Sequence, residues 1–362
     1  MKTPTAGLGL LFLSGLTGQA LEALPEHVDI SPVYTNGEWS WTIVSDGEVK
    51  ETNEVFLPAR DLETPDGELF QRPPGEQWDF LGMEEGESVW ILPQSDAGYT
   101  WPGIENAQSG TFSTYVESDP RVGPLPQQWV RIGLEGVEGP GAFSLFQFQG
   151  GGAVVWMSSA DGISAEDLFF LASPGHDHMN WAFSATGVYR VSLNASAFLG
   201  PGTNNPTAPG EAVDLFFAVG ARAAWRASWF AADEVMNELL AGDAADADQD
   251  GIDNLLEYAF GTDPRSASPL NVELGETAGP ELMMVSDGEV SYPALRFFKR
   301  NNPDADVSYE VEWSGGLTGA WEEGGIEHLV EDFGDGWERV TIRDDQAVSG
   351  SRFGRVRVIA AE

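Results

Sequence analysis

"EWSWTIVSDGEV", residues 38–49, decides how the chain is read. Trp39 and Trp41 alternate with polar neighbours, as one buried face of a β-strand does. "SDG" then stands between two such runs, which is a hairpin signal. Outward from this stretch the same pattern repeats. "ESVWILPQ" (87–94), "QWVRIGLEGV" (128–137), "GAFSLFQF" (141–148), "GAVVWMSS" (152–159), "GVYRVSLNAS" (187–196) and "AVDLFFAVG" (212–220) are short apolar or alternating runs cut by Gly, Pro, Asn and Asp. Tyr189, Val191 and Leu193 alternate as a half-buried strand would. Many short strands with regular turn signals and no βαβ pattern predict a mainly β fold, with a β-sandwich or jelly roll over 24–220.

The pattern changes at 223–264. "AAWRASWFAADEVMNELLAG", Ala223 to Gly242, is rich in helix formers. Trp225, Trp229, Ala232, Met236 and Leu239 recur at helical spacing, and Gly242 is a natural stop. From 269 to 362 strand-like runs return ("YPALRFFKR", "VSYEVEWS", "ERVTIRD", "FGRVRVIA"), predicting a smaller C-terminal β-sandwich. "VSDGEV" occurs at Val44–Val49 and again at Val285–Val290, which predicts two similar hairpins rather than a duplicated domain.

The formal net charge is -40, with lysine only at Lys2, Lys50 and Lys299. Such a surface repels nucleic acid and anionic lipid and attracts cations. The chain has no cysteine, so any metal must be held by His, Asp, Glu, Met or backbone oxygen. The N-terminus, "MKTPTAGLGLLFLSGLTGQALEALPEH", has the charge, short apolar run and small residues of a secretory signal over 1–20. Ala20 and Ala23 are its candidate cleavage points. No later run is long enough to span a membrane, so a secreted protein, periplasmic or at the cell surface, is expected.

"DADQDGIDNLLE", residues 246–257, fits a calcium loop at every required position. Asp246, Asp248 and Asp250 supply carboxylates, Gly251 the sharp bend, Ile252 a backbone carbonyl, Asn254 the ninth position and Glu257 a closing bidentate carboxylate. No Lys or Arg lies between Gly242 and Pro264, so these acids repel one another without a cation. The run "DADQDGIDNLLEYAFGTDP" resembles the thrombospondin type 3 and dockerin-like calcium repeats, which implies structural Ca2+ that stiffens a hinge.

Two of the four histidines, His176 and His178, lie in "PGHDHMNWAF" (174–183), and on a strand they face the same way. His27 and Asp29 share a face in "PEHVDIS". If the two segments pair, three imidazoles and a carboxylate converge, a donor set that suits zinc or copper, and manganese if water contributes. The H-x-H spacing alone fits imidazoles hydrogen-bonded within a turn equally well. His328, in "GGIEHLVED", is expected at the surface.

"HVDISPVYTNGEWSWTI", "FLGMEEGESVWILPQ", "GYTWPGI", "GPGAFSLF" and "GHDHMNWAFSATGVYRVSLNAS" together resemble the bacterial surface-anchored repeat domain of choice-of-anchor M proteins. The likeness spans 27–220. It implies an extracytoplasmic receptor or relay for a metal ion or metal complex, working beside an ABC transporter's substrate-binding protein or another cell-surface component. It also implies a site built from His27, Asp29, His176 and His178, with Asn180 and Trp181 shaping the pocket. Here a calcium loop and a second β-domain stand where that family carries a cell-wall anchor.

No G-x-S-x-G, H-E-x-x-H or phosphate loop is present, and a non-enzymatic binding protein is expected. Two alternatives stay open. A cupin-like metalloenzyme would need a further Glu and His. A carbohydrate-binding or adhesion module would use exposed tryptophans from the thirteen in the chain, Trp39, Trp41, Trp90, Trp101 and Trp181 among them.

Overall fold

The 38–49 stretch forms two strands, Glu38–Ser45 and Glu48–Lys50, paired antiparallel with Ser45 opposite Glu48. The two-residue loop between them is Asp46-Gly47, both at positive φ (51° and 80°). Asn36-Gly37 makes the same kind of turn one strand earlier, between His27–Thr35 and Glu38–Ser45. Positive φ at both central residues matches the twist of the flanking strands, which is why Asn-Gly and Asp-Gly stand there. The second "VSDGEV" is also a hairpin, but Asp287 pairs with Val290 and the loop moves one residue on, to Gly288-Glu289. The same six residues thus take a different register in the two hairpins.

The computed structural model describes residues 19–59, 70–96, 98–208, 210–301, 306–347 and 350–361. Of the leader expected over 1–20, only Gln19 and Ala20 fall among them. The chain is mainly β. Three sheets build the N-terminal region. One has seven strands and includes Val55–Ala59, Val213–Val219, Gly187–Ala197, Gln127–Glu138 and Leu168–Ala172. A second has four strands, including Phe143–Gln149 and Asn180–Phe183. The third has five strands in the order Gly175–His178, Trp101–Asn106, His27–Thr35, Glu38–Ser45, Glu48–Lys50. All three contribute to one core: Val28, Ile30, Ile43 and Ile104 from the third sheet join Val130, Val191, Leu215 and Phe217 from the first and Leu145 and Trp181 from the second. A β-sandwich is the result, with the third sheet's other face turned outward.

In the strand Val213–Val219, residues 215–219 are an unbroken apolar run because both faces are covered there. Leu215 and Phe217 enter the main core. Phe216 and Ala218 meet a second cluster under the helix Ala221–Trp229, through Ala223, Ala227 and Phe230. Leu21, 3% exposed, packs in this second cluster too.

The expected helix over 223–242 is shorter in the structure. It ends at Trp229, and Phe230 is extended (φ -118°, ψ 143°) and fully buried. Turns follow to Gly242, tied by Arg226, whose Nε donates to the Val235 carbonyl at 2.8 Å and whose Nη1 meets Glu238 at 2.8 Å. Leu239, part of the apparent apolar stripe, is exposed. Burial of Phe230, Val235 and Ala241 in the second cluster outweighs a summed helix propensity worth only tenths of a kcal/mol per residue.

Beyond the helix Asn254–Phe260, a four-stranded and a three-stranded sheet stack around Leu295, Phe297, Trp313 and Val340, the expected C-terminal sandwich. Phe260 sits in that core. Among the described residues, no helix is long and apolar enough to cross a membrane.

Candidate metal centre

Strand register brings the two histidine motifs together. His27–Thr35 runs parallel to Trp101–Asn106, with His27 opposite Trp101 and Asp29 opposite Gly103. Gly175–His178 runs antiparallel on the other side, with His176 opposite Glu105 and His178 opposite Gly103. Asp29, Gly103 and His178 therefore form one row across three strands. His27 and His176 flank that row two residues along, on the same face. This is the outward face, since Val28, Ile30 and Ile104 point into the core.

One ligand atom from each of His27, Asp29, His176 and His178 lies within 4.8 Å of all the others. His27 Nε2 is 3.2 Å from His178 Nε2. Asp29 Oδ1 is 2.7 Å from His176 Nε2 and 3.4 Å from His27 Nε2. A four-coordinate ion with bonds of about 2.0–2.1 Å has ligand atoms roughly 3.3 Å apart, so two of these separations are already those of a tetrahedral edge. Two imidazole nitrogens face each other at hydrogen-bond distance, and each can offer a lone pair inward once neither carries the inward proton.

Burial pulls the His178 pKa down, and the neighbouring His176 and His27 add to the effect; Asp29 and the Pro102 carbonyl oppose it. The imidazole is thus neutral at neutral pH, the form that binds metal. Asp29 is mostly covered, at 15% side-chain exposure, while His27 and His176 remain at 36% and 38%. The site is open to solvent on the histidine side.

The indole of Trp101 supports the cluster. Its ring lies 4.4 Å from His178, at 27°, and 4.3 Å from His27, at 37°. Asn180 and Trp181 stand behind the site. Asn180 is buried and exchanges hydrogen bonds with Gln94, accepting from its backbone N at 3.0 Å and donating to its Oε1 at 2.8 Å. Trp181 is fully buried among Phe143 and Phe217, and its Nε1 donates to the Pro102 carbonyl at 3.3 Å. Both fix the strands that carry the ligands. Gln147 adds a 2.8 Å bond to the His178 carbonyl.

Sequence reading missed Trp101 and Gly103 as parts of this site. The available signal was the glycine itself, since a glycine inside a strand marks a close approach. None of the five tryptophans considered as sugar platforms is fully exposed, and Trp39, Trp90 and Trp101 are half-buried. Trp41 and Trp181 are buried, and Trp39 is stacked on Phe112 at 5.6 Å. His328 is exposed, as expected.

The second candidate is the 246–257 loop. Carboxylate oxygens of Asp246, Asp248 and Asp250 lie within 4.8 Å of one another. Asp246 accepts from the backbone N of Asp250 (3.1 Å) and of Gly251 (2.9 Å), and Gly251 takes φ 93° to make the bend. Ile252 donates its backbone N to Asp250 Oδ1 at 2.8 Å, closing the turn. Asp253 caps the following helix, accepting from Leu256 N. Glu257 is 1% exposed, and its Oε2 has no hydrogen-bond partner. Burial raises its pKa to about 8, reinforced by Asp248, Asp250, Asp263 and Asp246. The Nδ2 of Asn254 donates to the carbonyls of Leu240 and Gly242, 2.9 Å each, while its Oδ1 is buried with no hydrogen-bond partner. A buried carboxylate facing other carboxylates is the arrangement a divalent cation relieves. No protein-family model and no curated protein matches the chain.

Proposed function

We propose that this is a secreted, extracytoplasmic binding protein for a transition-metal ion or its complex, held by His27, Asp29, His176 and His178. The observation that carries the reading is the convergence of four donor atoms from two segments 151 residues apart onto the solvent face of one sheet. Three imidazoles and one carboxylate favour Zn2+ or Cu2+ over harder cations, with Mn2+ the next in order. Surface charge supports the reading, since a net charge of -40 raises the local concentration of cations. A Ca2+ ion in the 246–257 loop serves structure: it neutralises Glu257 and its three aspartate neighbours. The resemblance to choice-of-anchor M domains extends the proposal to delivery, with the bound metal passed to a transporter's substrate-binding protein or another surface component.

Elemental analysis of the natively purified mature protein tests the metal. The expected result is Zn or Cu at one equivalent, lost in the His176→Ala/His178→Ala double variant. A protein that arrives without transition metal and takes up none of Zn2+, Cu2+ or Mn2+ at micromolar concentration refutes the reading.

A further inference from the structure

We infer that Gly103 is the positioning residue of the His/Asp site, resting on the metal reading above: it is glycine for the sake of the ligands and not of the fold. Gly103 occupies the middle of the row Asp29–Gly103–His178, directly beneath the point where the donor atoms meet. A Cβ built there would stand 2.8 Å from His176 Nε2, 2.8 Å from His178 Cε1 and 3.0 Å from His178 Nδ1. These are its three nearest neighbours, and all belong to the two imidazoles.

The usual reasons for a glycine do not apply. Gly103 is not among the glycines at positive φ, so an L-residue adopts its backbone without strain. It does not make room for buried rings, as Gly139 does for Tyr189 and Gly354 for Trp313. In a strand interior, glycine otherwise weakens the sheet relative to alanine. Its neighbour His176 is 38% exposed and can rotate into solvent, so a methyl group at 103 is relieved by moving the very side chains that ligation requires in place. The fold tolerates the substitution and the site does not. Ligands displaced in this way leave His27 and Asp29, a two-donor remnant open to water.

The experiment compares the full mature chain with Gly103→Ala and, as control, Gly152→Ala. Gly152 is also a strand glycine, but nothing lies within 4 Å of its would-be Cβ. Zn2+ alone is titrated by calorimetry, and Co2+ is added as a spectroscopic probe of geometry. Gly103→Ala is expected to weaken Zn2+ binding by about 100-fold, the upper end for losing a residue that orients ligands. Its Co2+ form is expected to lose the intense visible absorption of four-coordinate cobalt. In EDTA its melting temperature stays at or slightly above that of the parent protein, and Gly152→Ala binds as the parent does. Zn2+ affinity of Gly103→Ala within about threefold of the parent overturns the inference. So does a lowered melting temperature of the metal-free variant, which would make Gly103 a packing residue. Failure of the parent chain itself to bind any transition metal is a separate result and refutes the site.

Discussion

Replacing Glu257 by glutamine separates the burial of a charge from the binding of a cation. In the metal-free protein the Glu257 carboxyl is 1% exposed and its pKa stands at about 8, against 4.5 for an ordinary glutamate. The unfolded chain therefore releases this proton first. The stability it contributes is full below about pH 4.5 and is lost progressively as pH rises to about 8. At 1.36 kcal/mol per pKa unit the loss above pH 8 approaches roughly 5 kcal/mol. Glutamine keeps the shape and carries no charge to bury. In EDTA at pH 8, Glu257→Gln is thus expected to melt above the parent protein, by up to ~10 °C at roughly 2 °C per kcal/mol. The difference shrinks towards pH 5. Calcium inverts the order, because the parent gains a closing carboxylate on the ion and the variant does not. Thermal melts of both proteins at pH 5 and pH 8, each with EDTA and with calcium, give four comparisons. A variant that melts below the parent in EDTA at pH 8, or a parent that gains nothing from calcium, refutes the reasoning.

Other outcomes follow from the same geometry. Asp29→Asn keeps the size of the side chain and removes its charge, so Zn2+ binding should weaken by about 10- to 100-fold with the metal-free melting temperature nearly unchanged, as read by calorimetry and thermal melts. Trp101 lies against His27 and His178, so its fluorescence should change on metal addition, and Trp101→Leu should abolish that part of the signal. A chain beginning at Leu24 instead of Leu21 loses a buried leucine and the Glu22 N to Glu54 O bond of 2.8 Å. By roughly 2–5 kcal/mol for the leucine and about 1 kcal/mol for the bond it should melt several degrees lower, and N-terminal sequencing of the mature protein should find Leu21 first.

The hairpins over 27–50 were legible because their turn residues call for positive φ, whereas the second "VSDGEV" places its loop one residue on, at Gly288-Glu289. Asn36-Gly37 and Asp46-Gly47 need positive φ, and the alternation of Trp39 and Trp41 then says which face is buried. The histidine pairs were legible for the same reason: a period of two puts His27 with Asp29 and His176 with His178, whatever lies between. What lies between was hidden. That Trp101–Asn106 inserts between the two motifs, and in a register that sets Gly103 under the imidazoles, depends on contacts across the whole domain. The 223–242 segment misled because its apolar residues keep helical spacing while two different surfaces, the sheet and the linker turns, compete for them. Asn254 fills a ligand position in the pattern, and that its Nδ2 is also tied to the Leu240 and Gly242 carbonyls is a contact no spacing announces.

The separation of the ligands along the chain has a consequence for when the metal arrives. In the unfolded polypeptide, His27-x-Asp29 and His176-x-His178 are two weak, independent pairs, and His178 follows His27 by 151 positions. They meet only once the N-terminal strand has docked parallel to Trp101–Asn106 and Gly175–His178 has docked on its other side, both long-range pairings. Capture of a metal by all four donors would therefore be an event of the finished fold. Any ion taken up there would be drawn from the surroundings in which the chain completes its fold.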